Sequence, residues 1–147
     1  MQRGMKWFKF LIYFALWASA ILNIATGVMQ LTGNIYEMEG VSAAEIYDVF
    51  PKLQSIDKIY GLILIGLGVY ILITRFALAK YKSFGPLLLY GVYILNLILP
   101  IVYAGITAPI LGVSITELLD FTSLIVSGVM VFVNFSYFSK RSDLFTN

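Results

Sequence analysis

The side chains best placed for chemistry in this sequence are three asparagines inside long apolar segments: Asn23, Asn96 and Asn134. Each side-chain amide offers two hydrogen-bond donors and one accepting oxygen. In hydrocarbon these groups need partners, so each asparagine should face another helix or a polar cavity. Acting together, they could bind a polar ligand within a membrane.

Other polar residues recur at helical spacing beside these asparagines. One set, at steps of three, four and seven, is Asp120, Ser123, Ser127 and Asn134. Such spacing places the four on one face of a helix. If similar stripes on the other apolar segments face this one, they form an intramembrane binding cluster. Its candidate members are Asn23, Asn96, Asn134, Ser123, Ser127, Tyr93 and Tyr103.

The same residues also suit ordinary helix packing. Membrane helices bring small residues to their contacts and use Ser, Thr and Asn for hydrogen bonds between helices. Each such bond contributes only about 0.6 kcal/mol on average. For any single asparagine packing is the commoner role, and a binding pocket requires that several of them act jointly.

Two charged residues are candidates for ionic chemistry. Arg75 stands inside an expected span and could bind an anionic headgroup or substrate. It lies five positions before Lys80, so its long side chain can instead reach the headgroup layer. Asp120 could hold a cation or a proton. A carboxylate at the start of a helix is, however, also favoured by the helix dipole alone.

Several kinds of chemistry are excluded by composition. The chain has neither cysteine nor histidine, which excludes disulfides, thiolate metal sites and imidazole ligation of metal or haem. It also has no glycine-rich phosphate loop and no paired carboxylates in its apolar segments. We therefore predict no enzyme, no catalytic residue, no metal and no cofactor. The net charge of +2 is too small to indicate nucleic acid as a partner.

Four long apolar segments must position the polar side chains. The 147 residues are 60% apolar and 12% charged, whereas soluble domains are about a quarter charged. Segments of about 20 apolar residues can cross a bilayer. We predict an all-α integral membrane protein, a single four-helix transmembrane domain over residues 1–147. The predicted spans are about 8–28, 59–79, 86–104 and 115–139.

The loop between the first two predicted spans contains a helix start. Ser42 and Glu45 have the spacing of a capping box, in which each side chain bonds the backbone N–H of the other. Apolar residues follow at helical spacing. We predict a short amphipathic helix on the membrane surface at about 43–50, bent or ended by Pro51.

The two halves of the chain resemble each other. The sequence around this capping box, from Gly40, returns 72 positions later, and the residues around Asn23 recur around Asn96 at an offset of 73. In the second copy the capping box should lead directly into the fourth span. We interpret the pattern as two tandem parallel helical hairpins with halves 1–80 and 81–147. Chance similarity between apolar sequences is the alternative.

The distribution of basic residues predicts the orientation. Eight of the ten Lys and Arg would lie on the side of both termini, and excess basic residues mark the cytoplasmic side. We expect an integral protein of the cytoplasmic (plasma) membrane with both termini in the cytoplasm. The eight are Arg3, Lys6, Lys9, Arg75, Lys80, Lys82, Lys140 and Arg141.

Three functions remain open. The first is a non-catalytic subunit or an interaction and lipid-binding module, whose partners are the bilayer and a homo-oligomer or larger membrane complex. The alternative is a small homo-oligomeric transporter or channel whose path is lined by the Asn, Ser and Tyr side chains. A lipid-modifying enzyme ranks third, because Asp120, Tyr103 and Arg75 give acid and base catalysis little to use.

Overall fold

The computed structural model describes residues 4–147 and confirms an all-helical membrane bundle, with no strand in the described part. Four helices are long and apolar enough to cross a membrane, and we call them the first to fourth spans. They are Lys6–Thr32, Pro51–Ala79, Gly85–Leu111 and Phe121–Ser139.

The two ends of the bundle differ. One end, which we call the loop end, carries short helices at Asn34–Met38, Ala43–Val49 and Ile115–Leu118. The opposite end, which we call the termini end, carries the start of the first span, the turn between the second and third spans, and the tail after the fourth span. The surface helix predicted at 43–50 is thus present at the loop end.

The second and third spans are longer than predicted. The surface helix already ends at Val49, and Pro51 is the first residue of the second span. Proline suits that position because the first turn of a helix needs no intrahelical N–H donor. The third span contains Pro100 within its predicted range and continues past that range, through Pro109, to Leu111. Gly112 in the left-handed conformation ends it.

The predicted capping boxes mark helix starts but do not form reciprocal pairs among the described residues. Ser42 precedes the helix Ala43–Val49 without a side-chain cap hydrogen bond. Ser114 accepts from the backbone N–H of Thr116 at 3.3 Å, and not from that of Glu117. The serine at each start is therefore informative about position, although the predicted partner is wrong.

The fourth span begins later than predicted. The helix after Ser114 ends at Leu118, and the extended residues Leu119 and Asp120 separate it from Phe121, where the fourth span starts. The prediction of a span from 115 is wrong because Asp120 caps a new helix: its Oδ1 accepts the backbone N–H of Ser123 at 3.3 Å. Both halves therefore carry a separate short helix before a span.

The closest packing in the bundle joins the first and second spans through glycine. A Cβ on Gly27 would lie 2.7 Å from the carbonyl oxygen of Gly61, and a Cβ on Gly61 would lie 2.6 Å from that of Gly27. Two turns further along the second span, Gly68 packs against Ile24 and the backbone of Ala20. Such close backbone approach replaces the hydrophobic driving force that helices lack in lipid.

Aromatic rings close the termini end. Phe8, Phe138 and Phe145 are buried, and their ring centroids lie 5.4–6.4 Å apart. Tyr81, from the turn between the second and third spans, stacks on Phe8 at 5.3 Å. The tail also pairs with this turn, since the backbone N–H of Asn147 donates to the Tyr81 carbonyl at 3.2 Å. All four spans are thus joined at this end.

The spans pack in chain order, first on second, second on third and third on fourth. Within residues 4–147 the first and fourth spans do not pack along their length. They meet at the termini end, where Trp7 bonds Asn134 and the ring of Phe8 contacts that of Phe138. The fourth span is the least buried of the four. The bundle is therefore open between its first and fourth spans towards the loop end.

Candidate functional site

The largest hydrogen-bonded polar cluster among the described residues surrounds a buried carboxylate at the loop end. Asp57, on the second span, is 0% exposed. Its Oδ1 accepts from Gln30 Nε2 at 2.8 Å and from the Tyr103 hydroxyl at 2.5 Å. Its Oδ2 accepts from the hydroxyls of Tyr36 at 2.6 Å and Tyr47 at 2.9 Å. We call these five residues the Asp57 hub.

Five different helices supply the hub. Gln30 lies on the last turn of the first span, and it also donates to the Tyr103 hydroxyl at 3.0 Å. Tyr36 and Tyr47 come from the two short loop helices, with ring centroids 5.7 Å apart. Tyr103 comes from the third span and is held by stacking on Tyr60 at 4.3 Å. The hub therefore ties the loop helices to three spans.

Neutral donors alone balance the carboxylate, since within residues 4–147 no lysine or arginine pairs with Asp57. A buried charge is costly unless it is well hydrogen-bonded, and four donors meet that need here. Tyr36 and Tyr47 lie outside the spans. Burial first, and then the hydrogen bond to Asp57, raises the pKa of both hydroxyls. Both tyrosines therefore remain protonated donors at neutral pH.

These raised pKa values predict an alkaline transition. A tyrosine whose folded pKa lies above the unfolded value of about 10 stabilises the fold below that pH, and the contribution is lost as pH rises further. We expect Tyr36 and Tyr47 to ionise above the usual tyrosine pKa of about 10, as measured by tyrosinate absorbance against Tyr36→Phe and Tyr47→Phe variants. Asp57→Asn should lower the pKa of both, whereas the exposed Asp48→Asn should not. Unchanged titration in Asp57→Asn would contradict the hub.

Sequence reasoning missed the centre of this cluster. The predicted second span begins at 59 and so leaves Asp57 outside it, and of the four partners of Asp57 only Tyr103 is a predicted site residue. A signal was present, because the buried stripe of Gly61 and Gly68 extends four residues back to Asp57 and from there to Leu53. The stripe continues beyond the predicted span because the helix itself does.

The structure brings some predicted site residues together. Asn134 is fully buried, accepts from Trp7 Nε1 at 2.9 Å and donates to the Met130 carbonyl at 2.8 Å. Tyr93 on the third span also interacts with the Asn134 side chain. Asn134 therefore joins the first, third and fourth spans near the termini end.

Other predicted members lie apart from Asn134. Asn23 bonds the Ser19 carbonyl of its own helix at 2.8 Å, and Tyr103 belongs to the Asp57 hub. Ser123 bonds Asp120 with its hydroxyl at 2.7 Å. Two further members, Asn96 and Ser127, are half-buried and make no hydrogen bond with their side chains in the described part of the chain. A joint binding role for the seven residues stays a prediction.

Asn134 and Asn96 make a matched pair of variants. Asn134→Leu removes the acceptor of Trp7 and leaves the half-buried indole N–H without its partner, which costs roughly 1–3 kcal/mol. Asn96→Leu breaks no bond within the described chain and should leave the free energy of unfolding nearly unchanged. Unfolding of both variants in the same detergent tests this difference. Equal destabilisation would contradict it.

Arg75 donates a hydrogen bond to a backbone carbonyl in an irregular segment of the first span. Residues Leu11–Ala15 form a π-helical segment, in which the N–H of Leu16 bonds the Leu11 carbonyl rather than that of Ile12. The Ile12 carbonyl accepts instead from Arg75 Nε at 2.8 Å. The guanidinium also lies 5.1 Å from the Trp17 ring centroid. Arg75 thus has a structural partner within the bundle; headgroup binding by it stays a prediction.

Asp120 is exposed and serves as the N-cap of the fourth span. Hydrogen bonds from the hydroxyl and backbone of Ser123 lower the pKa of its carboxyl, so it is ionised at neutral pH. No group of three His, Cys, Asp or Glu residues among residues 4–147 could hold a metal ion. Cation or proton binding at Asp120 stays a prediction.

Two crevices of the described part of the chain have no member of the Asp57 hub among their lining residues. These crevices have volumes of about 1150 and 580 Å³ and open at the termini end, beside the start of the first span.

No family model matches this sequence, and neither a curated protein nor a solved structure shows significant similarity to it.

Proposed function

We propose that this chain is a non-catalytic membrane subunit that associates laterally with another helix bundle, a second copy being the simplest partner. One observation carries the proposal: Asn96 is half-buried within the third span and makes no side-chain hydrogen bond in residues 4–147. The asparagines of the first and fourth spans are both bonded. An unpaired amide in hydrocarbon is costly, and a neighbouring chain would supply its partner.

The open side of the bundle supports this proposal. The third span packs against the fourth span. Towards the loop end the fourth span does not pack against the first span, so this side of the bundle is open. Half-buried Ser127 and Gly128 lie in this part of the fourth span. Small residues of this kind allow helices to approach closely.

Self-association is measured by energy transfer between labelled copies in liposomes as the lipid-to-protein ratio is raised. Asn96→Leu should weaken association by roughly 3- to 20-fold, the range for one to several interhelical hydrogen bonds, while the helical content stays the same. Leu97→Ile, which changes no polar group, is the control. The proposal would be overturned if the wild-type chain stays monomeric at every lipid-to-protein ratio in liposomes and also has no protein partner in its native membrane.

We also propose that both termini face the cytoplasm. The termini end carries Lys6, Lys9, Lys80 and Lys140, whereas Lys52 and Lys58 lie towards the loop end. The chain has no cysteine, so a maleimide labels only a cysteine that is introduced. The introduced cysteine of Glu45→Cys should react with an impermeant maleimide on intact cells. Lys140→Cys should react only after permeabilisation. The opposite pattern would reverse the orientation.

A small transporter is the second candidate, and the Asp57 hub favours it. A buried carboxylate that no lysine or arginine of residues 4–147 pairs with is suited to carry a monovalent cation between two conformations. Flux of H⁺ or Na⁺ into proteoliposomes should then fall to background in Asp57→Asn. Equal flux in wild type and variant would exclude this role.

We propose no catalytic activity, since Asp120 caps a helix and Arg75 is bonded to Ile12.

A further inference from the structure

The smaller crevice at the termini end lies between the first and fourth spans. Its volume is about 580 Å³, and its lining includes Trp7 from the first span and Ser136 from the fourth. Lys140 and Arg141 line it just beyond the end of the fourth span. None of the residues between 4 and 147 that line it is a carboxylate. Two basic side chains therefore line the crevice just beyond the end of the fourth span.

Arg141 is a fixed cation. Its Nη1 donates to the Tyr137 carbonyl at 2.9 Å, its Nη2 donates to the Gly4 carbonyl at 3.0 Å, and its Cζ lies 3.8 Å from the Tyr137 ring centroid. Its Nε is buried and has no hydrogen-bond partner. Among residues 4–147 no carboxylate pairs with this guanidinium. Within residues 4–147, two backbone carbonyls and an aromatic ring therefore hold this positive charge in place.

The rest of the crevice lining is aromatic or aliphatic. Phe132 is 77% exposed and Val133 is 44% exposed, and both lie on the fourth span one to two turns before Ser139. Trp7 provides the ring type that favours the boundary between hydrocarbon and headgroups. Cations at the boundary and an apolar wall below them match the two parts of a phospholipid.

We propose that this crevice binds the phosphate of an anionic phospholipid whose acyl chain lies along Phe132 and Val133. The phosphate oxygens accept from the guanidinium of Arg141, the ammonium of Lys140 and the hydroxyl of Ser136. A zwitterionic lipid carries an ammonium group of its own, which these cations disfavour. A net negative headgroup is therefore preferred. The site shares no residue with the surface around Asn96, so it stands independently of the association proposed above.

Trp7 reports on this site directly, because it lines the crevice. The chain has two tryptophans, so Trp17→Phe leaves Trp7 as the sole indole and keeps a ring beside Arg75. In nanodiscs of phosphatidylcholine, a small fraction of phosphatidylglycerol with brominated acyl chains should quench Trp7 fluorescence. The same fraction of brominated phosphatidylcholine should quench it less.

Charge variants assign the preference to the crevice. Lys140→Gln should weaken the preference for phosphatidylglycerol roughly five-fold, and Lys140→Gln with Arg141→Gln should weaken it further by a similar factor. Arg141 also holds two backbone carbonyls, so Lys140→Gln and Ser136→Ala test the site where the double variant misfolds. Lys80→Gln is the matched control, since Lys80 lies at the same end but does not line the crevice.

Three results would overturn the assignment. Equal quenching by the two brominated lipids would show that the crevice receives only surrounding bilayer lipid. An unchanged preference in both Lys140→Gln and Ser136→Ala would place the anionic lipid elsewhere. Reversal of phosphatidylglycerol quenching by millimolar glycerol phosphate would identify a site for soluble phosphate esters rather than for a lipid. Selective quenching that resists glycerol phosphate and falls in Lys140→Gln supports the proposal.

Discussion

Asp57→Ala should detach the loop helices from the bundle and cause the largest loss of stability of any single polar substitution. The change leaves Gln30, Tyr36, Tyr47 and Tyr103 without their common acceptor. Each buried donor left unpaired costs roughly 1–3 kcal/mol, so the free energy of unfolding should fall by at least about 3 kcal/mol. Proteolysis within residues 33–50 should accelerate, because helices this short are not stable without tertiary contacts.

Two further variants separate the hub from general effects of lost charge. Asp48→Ala removes a carboxylate that is exposed on the neighbouring loop helix, and it should change neither stability nor proteolysis. Asp57→Asn keeps the shape and one acceptor oxygen, so its loss should be smaller than that of Asp57→Ala. If Asp57→Ala unfolds at the same denaturant concentration as Asp48→Ala, the hub does not hold the loop end together.

Gly61→Ala should separate the first and second spans. The new Cβ would lie 2.6 Å from the Gly27 carbonyl oxygen and 2.8 Å from the backbone nitrogen of Leu31. Both are backbone atoms, so no side-chain rotation relieves the contact and the helices must move apart. Overpacking of this kind costs typically about 1–3 kcal/mol. Unfolding in detergent measures the loss.

The same helix offers a matched control. A Cβ added at Gly66 meets no atom within 4 Å, so Gly66→Ala adds only helix propensity and should stabilise by roughly 0.5–1 kcal/mol. The two alanine variants should therefore shift stability in opposite directions. Equal shifts would mean that the contact between Gly27 and Gly61 is not a close packing contact in the membrane.

The spans could be predicted because they depend on local composition. Hydrocarbon selects long apolar helices whatever their neighbours are, so all four were found in the right order. Helix starts were also local: Ser42 marks one correctly. The start of the fourth span was wrong because Asp120 competes with Ser114 as a cap, and the choice depends on how the intervening turn packs.

The polar contacts could not be predicted because each depends on a partner in another helix. Asn23 and Asn134 have similar apolar surroundings and each donates to a carbonyl of its own helix, yet only Asn134 also accepts from another helix, through Trp7. Asp57 has several charged neighbours in sequence, which is typical of a solvated loop. Its burial depends on three tyrosines from other helices, which lie 10, 21 and 46 residues away in the sequence.

The π-helical segment Leu11–Ala15 also sets the phase of the first span. A regular helix turns 100° per residue, and one wider turn accommodates one surplus residue. Deleting one residue from this segment would restore a uniform coil and rotate everything before it by about 100°. Trp7 would then point away from Asn134 while Gly27 kept its neighbour. The π-helical turn thus directs Trp7 of the first span towards the fourth span and Gly27 of the same helix towards the second span.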